Sequence, residues 1–239
     1  LIMDIDIEVP NDINSITLGD YQRYMKIVQA NEDAEGEFLD IKLLEIFCNL
    51  PYVDIHKMPI ASFEEVLMHF SDIFSAKTPL VRRFSLKDSE EKEYEFGFIP
   101  NLGEMTTGEY IDLNNYFEDI DNLHKVMAVL FRPVHKSWKG KEAYRIAEYQ
   151  GTTEMAEIMK SMPLGIALGA RVFFYRLGMK LSKHTLTYSL KHLSETTTLS
   201  EEEKQTLLKN TDGINNFMLL QEEMLSKLTQ QPFSQYTKP

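Results

Sequence analysis

Residues 98–134 read FIPNLGEMTTGEYIDLNNYFEDIDNLHKVMAVLFRPV and hold the densest punctuation in the chain. Pro100, Gly103 and Gly108 mark turns: one fixes φ and the others tolerate conformations that side chains resist. Thr106 followed by Glu109 is a capping box, in which hydroxyl and carboxylate each accept from a backbone amide at a helix start. Two helices are predicted, over 109–117 and 122–131, with the acidic EDID at 118–121 breaking them apart. Tyr110, Leu113, Tyr116 and Phe117 form the packing face of the first. Leu123, Val126, Met127 and Leu130 form that of the second, and Pro133 is expected to stop it.

Immediately upstream, residues 80–86 and 93–99 alternate apolar and polar around a charged KDSEEK turn. That is the period of a β-hairpin. Its second strand feeds straight into the quoted stretch. Nearer the N-terminus, residues 5–9 (IDIEV) alternate as a half-exposed strand ended by Pro10. Three amphipathic helices follow. Thr17 with Asp20 caps the first, over 18–30, which places Leu18, Tyr21, Met25 and Val28 on one face. The second covers 37–50 and is closed by Asn49 and Pro51. Residues 51–60 read as a loop. Ser62 with Glu65 reads as the capping box of the third, which buries Phe63, Val66, Leu67, Phe70, Ile73 and Phe74. Short connections make residues 1–77 a helical subdomain.

Downstream, 135–142 reads as a basic surface loop carrying Trp138, the sole tryptophan. With Lys136, Lys139 and Lys141 around it, Trp138 is a candidate contact. Residues 143–149 read as a further strand, and a short helix capped by Thr152 or Thr153 runs to Met162. Residues 164–193 form the longest helix. Arg171, Arg176, Lys180 and Lys183 recur along it, so a buried helix with a cationic stripe is expected. A membrane span wants about 20 apolar residues with few charges. Gly165 and Gly169 make a GxxxG pair, a pattern for close helix packing. After a polar linker, Ser200 with Glu203 caps another helix, and an amphipathic run leads to a tail without periodicity. The expected architecture is a predominantly helical α+β body over 1–193, in sections 1–77, 78–151 and 152–193. It has a small antiparallel sheet, with its hairpin at about 80–99, and a helical C-terminal extension over 194–239.

Of the 239 residues, 43% are hydrophobic, enough to sustain a core. Acidic residues number 37 against 25 basic, and the excess lies in residues 1–151. Phosphate binding needs a positive surface, so nucleic acid is not the expected partner, and neither is an anionic membrane. An acidic front half suits a basic or apolar partner. Cys48 is the only cysteine, so no disulfide forms within the chain, and its place in LLEIFCNL reads as buried and inert. Asp4, Asp6 and Glu8 carry the wrong charge for a leader's n-region, so no secretory signal is expected, and Met3 is a candidate start.

The chain lacks GxxxxGK[ST], a GxGxxG after a strand, HExxH and GxSxG. Phosphate-cradling loops, zinc proteases and serine hydrolases are therefore unsupported, and no cofactor is implied. The enzyme-like cluster is Glu109, Asp112, Glu118, Asp119, Asp121 and His124. Carboxylates with a histidine can hold a divalent cation, which makes Glu109, Asp112 and His124 the metal candidates. The competing reading is that these are helix caps and an inter-helix turn, where acids are favoured by capping and by the helix dipole. Arg132, just after a helix end, is placed to pair with the acids at 109–121. The residues expected to serve interaction or architecture are Tyr110, Tyr116, Arg132, Trp138, Arg171 and Arg176.

Five blocks recur in fixed order. They are IEVP with ITLGDYQRYMKI (7–10, 16–27), YEFGFIPNLGEMTTGEYIDLNNY (94–116), NLHKVMAVLFRPV (122–134), YRIAEYQGT (144–152) and MPLGIALGARVFFYRLG (162–178). In these the chain resembles a protein family of tailed bacteriophages, similar to tail assembly chaperones and baseplate-hub assembly factors. Residues 194–239 depart from that pattern. The resemblance implies a non-enzymatic morphogenesis protein of the host cytoplasm that binds other phage structural proteins, such as tape-measure, tail or neck proteins, and could form oligomers. The alternative it implies is a structural component of the virion at the neck, tail or baseplate. A metal-dependent enzyme built on the 109–124 acids is the more distant reading.

Overall fold

The structure, a computed structural model, describes residues 7–31, 36–137 and 144–195, with residues 205 and 209 singly. Contacts divide the chain into a unit of residues Leu1–Leu168 and a second of Gly169–Pro239. The fold is α+β and predominantly helical, with one four-stranded antiparallel sheet.

Helix α1 (Leu18–Ala30) starts at Thr17, whose hydroxyl accepts from the Asp20 amide at 3.1 Å and donates to the Asp20 carboxylate at 2.7 Å. The first amides of a helix have no partner inside it. Here Leu18 and Gly19 donate to the carbonyls of Met162 and Lys160, each at 2.8 Å, and Leu164 returns a bond to Ile16 at 2.9 Å. Gly19 permits the approach, since a Cβ would stand 3.1 Å from the Lys160 oxygen. Helices α2 (Gly36–Phe47), α3 (Tyr52–Ile55) and α4 (Ile60–Ser75) complete the helical layer. Its core is aromatic: Phe47 meets Tyr24, Phe70 and Phe74 with ring centroids 5.4, 5.8 and 5.9 Å away. Asn49, at φ 51°, takes the left-handed position that closes α2, as read from the sequence.

The sheet has the order β1-β2-β3-β4, with β1 (Arg83–Lys87), β2 (Glu93–Phe98), β3 (Phe131–Ser137) and β4 (Tyr144–Ile146). The expected hairpin is there, with Leu86 opposite Tyr94 and Arg83 opposite Gly97. Asp88 shapes its turn by accepting from the amides of Glu90 and Lys92 at 2.8 and 3.0 Å. Phe84, Phe96, Phe98 and Phe131 pack along the sheet. The Tyr144 ring reaches from β4 to Gly97, where a Cβ would come within 2.5 Å of it, and its hydroxyl donates to the Phe98 carbonyl at 2.6 Å. Between β2 and β3 the quoted stretch forms α5 (Thr107–Tyr116), a 3-10 turn at Ile120–Asn122 and α6 (Leu123–Leu130). Helices α7 (Ala156–Met159) and α8 (Leu164–Glu195) follow.

Several expectations are corrected. Ile7, Glu8 and Val9 are not in a strand, and residues 5–6 lie outside the described residues. The 51–60 loop contains α3. The Ser62–Glu65 box does not form, because α4 begins earlier, at Ile60 behind Pro59, where proline is well tolerated at a helix entrance. Pro133 does not stop a helix. The helix has ended at Leu130, and Pro133 lies inside β3 opposite Phe96, with its carbonyl accepting from Ala147 at 2.8 Å. The 135–142 loop is partly strand, since residues 135–137 belong to β3; Trp138 and the lysines at 139 and 141 lie outside the described residues. The strand read over 143–149 shortens to β4, and the Thr152 or Thr153 helix to α7, which has no side-chain cap. Helix α8 is present. Its buried residues run through Leu164, Ile166, Ala167 and Leu168 in the first unit. In the second unit Arg171 and Tyr175 are buried, whereas Arg176, Lys180 and Lys183 are exposed, so the cationic stripe begins inside and ends in solvent. Among the described residues no helix is long and apolar enough to cross a membrane. The helix capped by Ser200 and the amphipathic run after it lie outside the described residues.

Candidate functional site

Thr106 and Glu109 make the capping box as read. The Thr106 hydroxyl accepts from the Glu109 amide at 3.3 Å, and Glu109 Oε2 accepts from the Thr106 amide at 2.5 Å. The box fixes the rotamer of Glu109 and turns its second oxygen inward. Glu109 is the only buried residue of α5. Its Oε1 lies 2.5 Å from Arg132 Nη2, across an ion pair in which the side chains are 3% and 13% exposed. The pairing of Arg132 with the acids at 109–121 is therefore realised, through one of them.

Tyr149 completes the group. Its ring centroid lies 5.8 Å from the Arg132 guanidinium carbon, and its hydroxyl donates to Asp112 Oδ2 at 2.5 Å. Glu109, Asp112, Arg132 and Tyr149 thus form one chain of contacts from α5 through β3 to the segment after β4. Burial lowers the Arg132 pKa from its ordinary value, and Glu109 and then Tyr149 pull it back up. Burial first, then the bond to Asp112, pushes the Tyr149 phenol far up. A phenol held neutral in this way gives a hydrogen bond and keeps its proton, so it is a poor acid catalyst near neutrality.

Two clefts flank the group, of about 590 and 410 Å³, and Arg132, Ala147, Glu148 and Tyr149 line both. Glu109 and Thr106 line the larger one. Two atoms of the ion pair, Glu109 Oε1 and Arg132 Nε, have no aligned hydrogen bond, and both are shut off from solvent. A ligand in the cleft reaches neither without movement of the walls. The arrangement fits an internal polar anchor and not a binding triad.

The three metal candidates go to three different places. Glu109 faces Arg132 and Asp112 faces Tyr149. His124 turns to α1, where the Gln22 amide nitrogen lies 3.1 Å from its Nδ1 and donates to the Ile120 carbonyl at 2.7 Å. Burial, then Lys160, lowers the His124 pKa below its ordinary value. Asp119 caps the 3-10 turn by accepting from the Asp121 amide at 2.9 Å. Among the described residues no group of three or more His, Cys, Asp or Glu is placed to hold a metal. Cys48 is buried, and burial pushes its thiol up to about 12.

Of the interaction residues, Tyr110 does not pack: it is 63% exposed, beside Ile111 at 50%. Tyr116 is half-buried under Lys125, whose ammonium is 5.1 Å from its ring. Arg171 stacks over Tyr175 at 5.9 Å within the second unit, and Arg176 is exposed. Tyr149 and Gln22 were not singled out by the sequence. Each acts across a separation of 37 residues or more, and no local spacing reports such a pairing.

Set against protein-family models, curated proteins and solved structures, the chain has no match in any of the three.

Proposed function

We propose that this chain works by binding other proteins and not by catalysis. The observation that carries the reading is the distribution of its side chains. Glu109, Asp112, Arg132, Tyr149 and His124 are engaged with one another or with the fold. Large apolar residues lie open on helices instead: Tyr52, Val53, Ile60 and Met68 on α3 and α4, and Tyr110 and Ile111 on α5. Single exposed apolar residues are ordinary, but neighbouring ones on short helices are a resource for partners.

The resemblance of the five sequence blocks supplies the partner class. On it, the chain is a morphogenesis protein of a tailed bacteriophage, acting as a tail assembly chaperone on other phage structural proteins. The acidic front half, which keeps a protein with open apolar helices dispersed, supports that reading. The test pairs two measurements. A tagged chain is recovered from infected cells with its bound proteins, and purified virions are analysed by mass spectrometry. A chaperone binds a structural protein in cells and is missing from virions. A fixed copy number in the virion overturns the chaperone role in favour of a structural one. Recovery of no partner in either setting overturns the binding reading itself.

A further inference from the structure

We infer that the outward face of α5 is a docking surface for a basic amphipathic helix of another protein, an inference that rests on the binding reading above. A helix of ten residues is too short to hold alone and borrows its stability from what it packs on. A surface helix ordinarily does this by burying an apolar stripe. Helix α5 does so only in part. Its one buried residue is a carboxylate, its directed ties to the body are the Glu109–Arg132 pair and the Asp112–Tyr149 bond, Leu113 and Tyr116 are half-buried beside them, and Tyr110 and Ile111 face solvent. The polar ties fix which side turns inward and leave Tyr110 and Ile111 on the outer one.

Thr107, Ile111 and Asn114 are all exposed and fall four and three residues apart, so they form one helical stripe with Tyr110 beside it. Exposed acids bound the stripe at both ends: Glu104 before α5, and Glu118, Asp119 and Asp121 after it. Lys125 of α6 is folded over the Tyr116 ring. An apolar centre rimmed by carboxylates selects an occupant with an apolar face and flanking Lys or Arg. A second copy of this chain would bring the same acids against these, and an anionic lipid surface would be repelled likewise.

The test uses the full chain and a dye-labelled Leu/Lys amphipathic helix of about 18 residues, long enough for five turns, with its Leu/Glu counterpart as control. Fluorescence anisotropy is expected to show saturable binding of the Leu/Lys helix only. The Tyr110→Ser/Ile111→Ser chain should bind it at least about tenfold more weakly, as loss of a central apolar anchor does, with an unchanged melting curve. Glu118→Lys/Asp121→Lys should weaken the Leu/Lys helix and admit the Leu/Glu one, whereas Leu181→Ser/Tyr188→Ser, at exposed positions of α8, should change nothing. Wild-type affinity in the Tyr110→Ser/Ile111→Ser chain overturns the assignment to α5. If Tyr52→Ser/Val53→Ser then weakens binding, the binding reading stands and the surface is α3. Failure of both peptides, with a structural protein still recovered from cells, overturns this inference alone. Self-association by sedimentation that the Tyr110→Ser/Ile111→Ser chain loses would make the occupant a second copy and overturn it too.

Discussion

Helices α5 and α6 come from the same 37-residue stretch and are separated by one 3-10 turn, yet they are stabilised in opposite ways. In α6, seven of eight residues are buried, and Leu123, Val126, Met127, Val129 and Leu130 are fully so. It is held by the hydrophobic effect, which is non-directional and scales with area. In α5, one of ten residues is buried and that residue is Glu109. Directed contacts with Arg132 and Tyr149 hold it, with Leu113 and Tyr116 half-buried beside them. Apolar burial fixes α6 as part of the core. Polar anchoring fixes the orientation of α5 and leaves Tyr110 and Ile111 outside.

The contrast breaks most visibly at Arg132. Arg132→Ala leaves the Glu109 carboxylate buried without its counter-charge, which costs about 3–5 kcal/mol. Urea unfolding checks it, and Glu109→Gln/Arg132→Met should recover more than half of the loss, because an uncharged pair leaves no buried carboxylate. Recovery of nothing would mean that Arg132 acts by packing on Tyr149 and not by pairing. Next come matched truncations in the two helices. Leu123→Ala in α6 should cost about 2–5 kcal/mol, the range for emptying a core position. Ile111→Ala in α5 should stay within about 0.5 kcal/mol, as exposed substitutions do. Equal costs would place α5 in the core and remove its outer face as a surface.

How far the sequence disclosed this follows the range of each interaction. The N-cap at Thr17, the capping box at Thr106, the hairpin turn and the face of α6 are local, so their residues announced them. Ser62 with Glu65 carries the same signature and forms no box. The pattern is blind to the neighbouring Pro59, behind which the helix had already started. Pro133 misled for a related reason. A proline breaks a helix, but it also sits at a strand position whose amide is not needed, and the partner strand that decides between the two is 37 residues away. Tyr110 counted as a packing residue with Leu113, Tyr116 and Phe117; those three are half-buried, whereas Tyr110 lies at the edge of their face and is exposed. Part of the site was legible, since Arg132 was read as a partner for the acids, but Tyr149 was invisible because it lies beyond β4 while its contacts are on α5 and β3.

Smaller effects sharpen the same contrast. Thr106→Ala removes the hydroxyl that caps α5 and loosens the box that aims Glu109. A lost cap costs about 1 kcal/mol. A larger loss, approaching that of Arg132→Ala, would show that the cap acts mainly by presenting Glu109 to Arg132. Measured in the Glu109→Gln/Arg132→Met background, Thr106→Ala should then fall back to the cost of the cap alone.

The smallest effect separates the helices by pH. His124 belongs to α6 and is buried against Gln22, with Lys160 and Lys125 disfavouring its charged form and Glu157 opposing them. Its folded pKa lies below the ordinary 6.5. The unfolded chain therefore takes up this proton first as the pH falls. The stability contributed by neutral His124 is full above about 6.5 and is lost as the pH drops through its lowered folded value. Melting curves from pH 7.5 to 5 should fall more steeply for the parent than for His124→Gln, which keeps a polar group near Gln22 without a titrating one. Amide exchange should locate the extra acid sensitivity in α6 and in α1 opposite it, because Gln22 links the two. Parallel decline of parent and variant would show that His124 does not set the acid sensitivity of α6.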